Sequence, residues 1–357
     1  MSALDDLIDR IRAANASRTA LRIRGGGSKD FYGQALQGEL LETRGWNGII
    51  SFEPTELVVT ARCGTPLAEL NAALAEQRQM LAFEPPAFGP DATIGGVVAA
   101  GLSGPARAAV GSARDFVLGV SLVDADGQLK HFGGQVMKNV AGYDVSRLLC
   151  GSMGTLGLIS QVSLKVLPLP AAQVTLSIQC DESDALAQLN AWAGQPLPIH
   201  ASAWHDGMLR LRLAGAPAAV QAAQRRFETG HDAVEMSATD AAQFWTALRE
   251  QQLPFFAGDM PLWRLSLPST AAPLRPSGEQ LIEWGGALRW LRSEAQATEI
   301  REIARKAGGS ASLFRAGDKS VGVFDTLSPI IATLNQRLKA QFDPNGIFNP
   351  GRMYPGL

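Results

Sequence analysis

Three stretches of the sequence bring several glycines close together, and the first of them ends on a cation. Residues 25–29 read GGGSK, residues 93–96 read TIGG, and residues 151–159 read GSMGTLGLI. Glycine loses more conformational freedom on folding than any other residue, so such clusters need a reason. Bare backbone can present N–H groups to an anion such as a pyrophosphate and can lie flat against a ring system. The first loop alone fits a plain turn equally well, but the three loops together predict a dinucleotide site.

The spacing of these glycines excludes two common nucleotide-binding motifs. Gly25 and Gly27 supply the first half of G-x-G-x-x-G, but position 30 holds an aspartate, and the glycines of 151–159 follow another spacing. A G-x-x-x-x-G-K-[ST] sequence, which would form a P-loop, does not occur in the chain. We therefore predict nucleotide binding without a Rossmann unit.

The titratable side chains indicate neither a metal site nor a catalytic base. The four histidines form no H-x-H or H-x-x-x-H pair, which are spacings expected of metal ligands. The three cysteines, at positions 63, 150 and 180, form no C-x-x-C pair. A zinc knuckle, an iron–sulfur cluster and a disulfide framework are therefore not expected. The catalytic residues stay unknown at this stage.

Six polar residues outside the glycine loops are further candidates for ligand contacts: Arg107, Arg114, Lys138, Asn139, Arg264 and Arg289. The first two could neutralise a phosphate, although most such arginines are solvated. Lys138 and Asn139 could contact a bound ring system or cap the following turn. Arg264 or Arg289 could bind a carboxylate through two parallel hydrogen bonds, but arginines on strands usually point to solvent.

Length and composition describe the molecule that must position these loops. The chain has 357 residues, enough for two or three domains, and its 46% hydrophobic and 18% charged residues are typical of a globular protein. A net charge of −2 excludes the basic surface expected of a nucleic-acid-binding protein. The first residues are acidic where a signal peptide is basic, and no apolar run reaches the roughly 20 residues that span a bilayer. These features predict a cytoplasmic protein.

Strand and helix signals alternate over the first half of the chain. Apolar spacing predicts a helix over 3–14, and the strand LRIR leads into the first glycine loop. Thr65 is the expected N-cap of the next helix, with Pro66 at its first position. Residues 83–115 are expected to form a long irregular loop that carries TIGG. Asp126-Gly127 then predicts the turn of a hairpin.

After position 170 the pattern changes to strands and helices typical of an α+β module. A hairpin turning at Asp206-Gly207 is expected, with helices predicted over 182–193, 217–228, 239–250 and 294–307. The last predicted helix covers 329–341, with Ser328 as its cap and Pro329 at its first position. The chain is thus divided into residues 1–170, 171–310 and 311–357.

Several long motifs resemble the FAD-binding domain of the vanillyl-alcohol-oxidase family, also called the p-cresol methylhydroxylase (PCMH) type: RIRGGGSK, EPTELVVTARCGTPLAEL, PDATIGGVVAAG, GSARDFVLGV and GSMGTLGLISQVSLKVLP. The motifs that narrow the resemblance to the FAD-binding subunits of glycolate oxidases are FGGQVMKNVAGYDVSRLLCGSMGTLG, REQQLPFFAG, LWRLSLP, GEQLIEWGGALRWL and FDPNGIFNPGRMY. The resemblance covers nearly the whole chain. It implies an α+β fold with a two-subdomain PCMH-type FAD-binding domain in 1–170. A compact cap or substrate-type domain would follow in 171–310, and residues 311–357 would pack back toward the FAD-binding domain.

The resemblance also implies cofactor-binding residues at the matching positions. The pyrophosphate loop would comprise Gly25, Gly26, Gly27 and Ser28. The wall along the pyrophosphate and the flavin edge would comprise Thr93, Ile94, Gly95 and Gly96, and would continue through Gly101 and Ser103. The adenosine side would be held by Gly154, Thr155, Gly157 and Ile159. The C-terminal segment, which would return toward the flavin, would contribute Asn349, Gly351 and Arg352. Some members of the family bind flavin covalently through a histidine just after the glycine loop, where this sequence has Ser28 and Lys29. The expected FAD is therefore dissociable.

The implied function is that of a FAD-binding subunit of a multi-subunit glycolate oxidase. Such a complex oxidises glycolate, a small 2-hydroxy acid, to glyoxylate and passes the electrons onward. The family implies two partners, a larger FAD-binding subunit and an iron–sulfur subunit, and a location in the cytoplasm or peripheral to the inner membrane. Two alternatives stay open. The chain could be a structural or electron-relay flavoprotein without its own substrate site, or a self-sufficient oxidase of another hydroxy acid or alcohol.

Overall fold

A computed structural model describes residues 2–134 and 144–357, in two compact units. Unit 1 takes in the chain through residue 103, residues 112–168 and residues 326–357, and unit 2 takes in residues 104–111 and 169–325. The candidate residues Lys138 and Asn139 lie outside the described part of the chain.

Within the described residues the helices, in chain order, are α1 (Ala3–Ser17), α2 (Leu67–Glu76), α3 (Ile94–Ala100), α4 (Arg107–Val110), α5 (Ala113–Phe116), α6 (Val145–Leu149), α7 (Glu182–Ala193), α8 (Pro217–His231), α9 (Ala238–Arg249), α10 (Ala297–Lys306) and α11 (Pro329–Phe342). The strands of unit 1 are β1 (Leu21–Arg24), β2 (Glu39–Glu42), β3 (Ile49–Glu53), β4 (Val58–Arg62), β5 (Gln79–Met80), β6 (Val117–Val123), β7 (Leu129–Gly133), β8 (Leu158–Lys165) and β9 (Leu167–Pro168). The strands of unit 2 are β10 (Ala172–Gln179), β11 (Ile199–His205), β12 (Met208–Gly215), β13 (Val234–Glu235), β14 (Leu262–Ser266), β15 (Glu279–Glu283), β16 (Leu288–Arg292) and β17 (Ser310–Arg315).

Unit 1 contains a five-stranded antiparallel sheet in the order β3-β4-β8-β6-β7. The predicted hairpin is confirmed, because Asp124 Oδ1 accepts the N–H groups of Asp126 at 3.0 Å and Gln128 at 2.9 Å across the turn. β1 and β2 form a separate parallel pair, against which α1 packs Leu7 and Ile11. The first glycine loop leaves directly from the end of β1.

The expected irregular loop over 83–115 is partly helical, which corrects the sequence prediction. α3 begins after Thr93, whose hydroxyl accepts the N–H of Gly96 at 3.3 Å. A Cβ on Gly95 would lie 2.6 Å from Cβ of Cys63, so glycine at this position lets α3 lie close against the end of β4. The predicted cap at Thr65 is also wrong. Its hydroxyl instead bonds the N–H and carbonyl of Gly48, at 2.9 and 3.1 Å, and α2 begins two residues later.

Unit 2 is an eight-stranded antiparallel sheet in the order β13-β10-β12-β11-β15-β16-β14-β17, with helices packed on it. α7 and α8 bury Leu189 and Phe227 against β10 and β12, and α10 buries Ile300 against β14 and β16. The helix predicted over 182–193 is confirmed at both ends. Together with unit 1, this arrangement confirms the α+β class.

The boundaries of the units differ from the expected domain limits at two places. Sequence reasoning missed β17, and its antiparallel pairing with β14 places residues 311–325 in unit 2. The C-terminal segment that belongs to unit 1 therefore begins at residue 326. The short segment 104–111 also belongs to unit 2, because its helix α4 packs on β11.

Candidate functional site

Unit 1 contains a cleft formed by two adjoining cavities of about 570 and 400 Å³. The two cavities share six lining residues: Ile23, Gly25, Gly96, Ala99, Met153 and Asn349. The cleft thus lies among the end of β1, the first glycine loop, α3, the turn after residue 150 and the C-terminal tail.

The first glycine loop contributes a set of backbone donors to the cleft. Gly25, Gly26, Gly27 and Ser28 all line the larger cavity. Among the described residues, no hydrogen bond uses the N–H group of any of these four. These four residues are half-buried, and four adjacent donors without a partner among the described residues at the wall of a cleft suit an anionic ligand.

Protein contacts explain why each of the three residues is glycine. A Cβ on Gly25 would lie 2.2 Å from Oγ1 of Thr93, and a Cβ on Gly26 would lie 1.5 Å from the carbonyl oxygen of Asp91. Gly27 has φ +74°, the left-handed region that favours glycine. The loop is therefore bare partly because the segment 91–93 packs directly on it.

The larger cavity has an excess of positive charge. Arg24, Lys29 and Arg352 line it together with one carboxylate, that of Asp30. Arg24 Nε lies 2.7 Å from Asp30 Oδ2, which ties the two ends of the loop together. Lys29 Nζ donates to the carbonyl of Ala87 at 3.2 Å. The local field favours a ligand with negative charge.

The residues expected around 93–103 have different placements. Thr93 and Gly96 line the larger cavity, and Gly95 and Gly96 line the smaller one. Neither cavity is lined by Ile94, Gly101 or Ser103. Ile94 is fully buried, Gly101 ends α3 in the left-handed region, and the Ser103 hydroxyl accepts the N–H of Ala113 at 2.9 Å. The N–H groups of Ile94, Gly95 and Gly96 already bond Thr65, Cys63 and Thr93, so this segment offers a wall rather than donors.

The residues expected to hold the adenosine side lie at the smaller cavity, with one exception. Gly154, Gly157 and Ile159 line it. Thr155 does not, because its buried hydroxyl donates to the carbonyl of Ser152 at 2.7 Å. A Cβ on Gly154 would lie 2.8 Å from Nδ2 of Asn349, so this turn and the C-terminal tail pack closely.

Asn349 connects three segments of the cleft. Its Oδ1 accepts the N–H of Ile23 at 2.7 Å, and its Nδ2 donates to the carbonyl of Met153 at 2.6 Å. The side chain is buried, and φ is +40°, a conformation that asparagine tolerates better than most residues. Asn349 lines both cavities, but its polar atoms hold β1 and the 153 turn together.

Arg352 holds the chain that follows the glycine loop. The buried guanidinium donates to the carbonyls of Lys29, Asp30, Tyr32 and Gln34. Burial lowers the pKa of Arg352 to about 10. The side chain lines the larger cavity and adds charge there, while its donors organise residues 29–34. Gly351, the third expected residue of the tail, lines neither cavity.

A buried ion pair behind the tail was missed by sequence reasoning. Lys339 Nζ bonds Asp343 Oδ2 at 2.6 Å and the carbonyls of Thr155 and Phe348 at 2.7 and 2.9 Å. Asp343 in turn accepts the N–H groups of Ile347 at 2.9 Å and Phe348 at 2.7 Å. Burial lowers the pKa of Lys339, while the Asp343 carboxylate raises it. The i,i+4 spacing at the end of α11 is the sequence signal that could have revealed this pair.

The two arginines of unit 2 considered as carboxylate ligands have different environments. Arg289 is fully buried, and its guanidinium donates to the carbonyls of Ala271 at 2.5 Å, Ala272 at 2.8 Å and Gly286 at 3.3 Å. It is a structural residue, and the expectation that it points to solvent is wrong. Arg264 is half-buried against the ring of Trp284, at 5.4 Å from the ring centre.

No group of three or more His, Cys, Asp or Glu side chains within 2–134 and 144–357 could hold a metal ion. In the same part of the chain, no helix combines the length and apolar character that crossing a bilayer would require.

The donor set and charge of the cleft fit the pyrophosphate of a dinucleotide, and comparisons with known proteins identify the dinucleotide. Residues 2–133 match the FAD binding domain family. A solved structure of p-cresol methylhydroxylase with substrate bound superposes with a TM-score of 0.75, covering 99% of this chain and 87% of that one at 14% identity. The chain is therefore a flavoprotein of the PCMH-type fold, and its cofactor is FAD.

Relatives of similar sequence narrow the family further. Glycolate oxidase subunit GlcE of Escherichia coli (strain K12) is 48% identical over 351 residues, which cover 98% of this chain and 97% of that protein. Glycolate oxidase subunit GlcD of Bacillus subtilis (strain 168) is 33% identical over 142 residues, which cover 40% of this chain and 30% of that protein. The chain belongs to the family of glycolate oxidase subunit GlcE.

Proposed function

We propose that this chain is the FAD-binding subunit of a glycolate oxidase complex that oxidises glycolate, a 2-hydroxy acid, to glyoxylate. The observation that carries the proposal is the loop 25–28, whose four N–H groups without a partner among the described residues line a cleft with excess positive charge. When bound there, FAD supplies the hydride acceptor. The names of the relatives support the substrate, since both are glycolate oxidase subunits.

The residues around the cleft divide into ligands and positioning residues. The N–H groups of 25–28 would hold the pyrophosphate through charge-assisted hydrogen bonds, aided by the charge of Arg24 and Lys29. The segments 93–96 and 154–159 would form the walls, with Ile94, Gly101, Ser103 and Thr155 behind them. Asn349 and Arg352 would act by holding β1 and the 29–34 turn in place.

We infer that the FAD is held without a covalent bond. Ser28 and Lys29 follow the glycines where some PCMH-type proteins have a histidine, and neither side chain forms flavin adducts of that kind. The thiol of Cys63 lines the smaller cavity, but burial raises its pKa to about 12. Because the thiolate is the nucleophile, such a thiol is inert at neutral pH.

The proposal includes partners and a location. A larger FAD-binding subunit would complete the complex, and an iron–sulfur subunit would carry electrons onward, because the three cysteines of this chain lie in separate segments. Unit 2 would be the cap or substrate-type domain. The complex would be cytoplasmic or peripheral to the inner membrane.

One observation favours an electron-relay role as the second candidate. Oxidation of an alcohol by hydride transfer also needs a base for the hydroxyl proton. The described residues that line the cleft include no histidine, and the carboxylate of Asp30 is paired with Arg24. In this alternative the base, and with it the substrate site, lies in a partner subunit.

An absorbance spectrum of the purified chain tests the proposal, followed by anaerobic addition of glycolate. A flavin spectrum that bleaches with glycolate supports a working substrate site in this chain. Bound flavin that ignores glycolate but is reduced in the assembled complex supports the relay role. Absence of bound flavin after addition of FAD would overturn the proposal. Turnover of glycolate by the isolated chain with oxygen would instead favour a self-sufficient oxidase.

A further inference from the structure

The turn between β15 and β16 in unit 2 holds a tryptophan in a strained conformation. Trp284 has φ +54°, and Gly285 and Gly286 follow with φ +64° and +101°. A bulky residue in the left-handed region is a genuine outlier, and such strain concentrates at binding sites. The indole N–H of Trp284 donates to the carbonyl of Gly104 at 3.0 Å. This hydrogen bond connects the segment 104–111 to the turn.

Two guanidinium groups of unit 2 lie against the ring of Trp284. The Cζ atoms of Arg107 and Arg264 are 4.5 and 5.4 Å from the ring centre. Arg264 belongs to β14, where it pairs with Trp290 and Ser312 of the flanking strands. Its neighbours in the strand pack against α10, so Arg264 lies on the opposite face of the sheet.

Arg264 makes no hydrogen bond or ion pair with any described residue, although it is half-buried. Two other arginines of the same sheet, Arg289 and Arg292, are paired, whereas Arg210 of β12 stacks on Phe244 and also makes no hydrogen bond or ion pair with a described residue. Arg289 donates to three carbonyls, and Arg292 lies 4.0 Å from a carboxylate oxygen of Glu279. A guanidinium has five N–H donors, and stacking on an aromatic ring satisfies none of them.

We propose that Arg264, beside the Trp284 ring, binds the carboxylate of a small 2-hydroxy acid. The planar fork of the guanidinium matches the two oxygens of a carboxylate. The inference rests on the proposed function for the class of ligand, and it assigns a carboxylate-binding role to unit 2 of this chain.

Calorimetric titration of the FAD-loaded full chain with glycolate, at low ionic strength, tests the proposal. Arg264→Gln is expected to weaken glycolate binding about 10- to 150-fold, the range for losing a hydrogen bond to a charged group. Arg264→Lys keeps the charge without the fork and is expected to fall between that variant and the wild type. The matched control is Arg305→Gln, which removes an exposed cation of the same unit and is expected to leave binding unchanged. Ethylene glycol, which lacks the carboxylate, is expected not to bind.

Three results would overturn the proposal. These are unchanged glycolate affinity in Arg264→Gln, equal binding of ethylene glycol by the wild type, and no glycolate binding by a wild-type chain that holds FAD. If Arg264→Gln does not fold, unchanged affinity in Arg264→Lys has the same meaning. Failure of the proposed function is distinguishable from failure of this inference, because in that case the purified chain does not bind FAD.

Discussion

Replacing Gly26 by alanine tests whether the first glycine loop holds the cofactor. A Cβ at this position lies 1.5 Å from the carbonyl oxygen and 2.8 Å from Cβ of Asp91. The nearest obstacle is backbone, which cannot move aside as the tip of a flexible side chain can. The dihedral angle of Gly26 is outside the left-handed region, so the effect of the substitution is steric. The loop must therefore shift away from residue 91.

The size of the effect follows from the donors that the shift displaces. An ordinary carbon–oxygen contact needs about 3.5 Å, so the loop or its neighbour must move by about 2 Å. That distance breaks a hydrogen bond. A hydrogen bond to a charged group contributes about 1.5–3 kcal/mol. Losing two of the four N–H contacts to a pyrophosphate then costs about 3–6 kcal/mol, which corresponds to roughly 10²- to 10⁴-fold weaker FAD binding.

Titration of the apo chain with FAD, followed by quenching of flavin fluorescence, measures this change. Gly45→Ala is the matched control, since a Cβ there has no atom within 4 Å and the position is in the same unit. The control is expected to bind FAD like the wild type, and circular dichroism checks that both variants are folded. A folded Gly26→Ala chain with wild-type FAD affinity would refute the assignment of this loop to the pyrophosphate.

Three further predictions concern stability and reactivity. Lys339→Met leaves the buried carboxylate of Asp343 without its cation, and it is expected to lower the free energy of unfolding by about 3–5 kcal/mol in urea titrations. The control Lys306→Met, at an exposed position, is expected to change the free energy of unfolding little. Arg289→Ala leaves three carbonyls without donors and is expected to lower the free energy of unfolding by about 3 kcal/mol or more, also measured in urea. Burial raises the pKa of both thiols, that of the fully buried Cys63 to about 12, so at pH 8 iodoacetamide is expected to alkylate the partly exposed Cys180 faster than Cys63, as followed by mass spectrometry.

Each of these predictions has a result that would contradict it. Equal unfolding free energies for the two lysine variants would mean that the pair behind the tail is not buried as described. A stable Arg289→Ala variant would show that the carbonyls of 271, 272 and 286 find other donors. Rapid alkylation of Cys63 in the folded chain would show that the smaller cavity opens to solvent and that its thiol is not inert.

Most helices and hairpins of this protein could be predicted from the sequence, because their signals are local. α7 begins after Asp181, whose side chain accepts the N–H of Asp184 at 2.8 Å, and this cap is visible in the sequence itself. The turn at Asp126-Gly127 is equally local. Errors appear where a distant partner changes a local choice. Thr65 was expected to cap α2, but its hydroxyl bonds Gly48 across the sheet.

The glycine loops were also visible in the sequence, although their geometry was not. Gly26 is required because Asp91 lies against it, and residues 26 and 91 are brought together only by folding. The same holds for α3, whose donors are consumed by Cys63 and Thr65 and so form a wall instead of a ligand loop.

The sequence by itself determined the α+β class, the position of the hairpins and the three glycine-rich segments that mark the cofactor cleft. These features depend on residue type and short spacing, which act within a few residues of the chain. Only the tertiary structure decided which N–H groups stay without a protein partner, that Asn349 joins Ile23 to Met153, and that Arg264 is left unpaired beside Trp284. Whether a polar group is paired depends on which distant segments reach it, and spacing along the chain does not encode that distance.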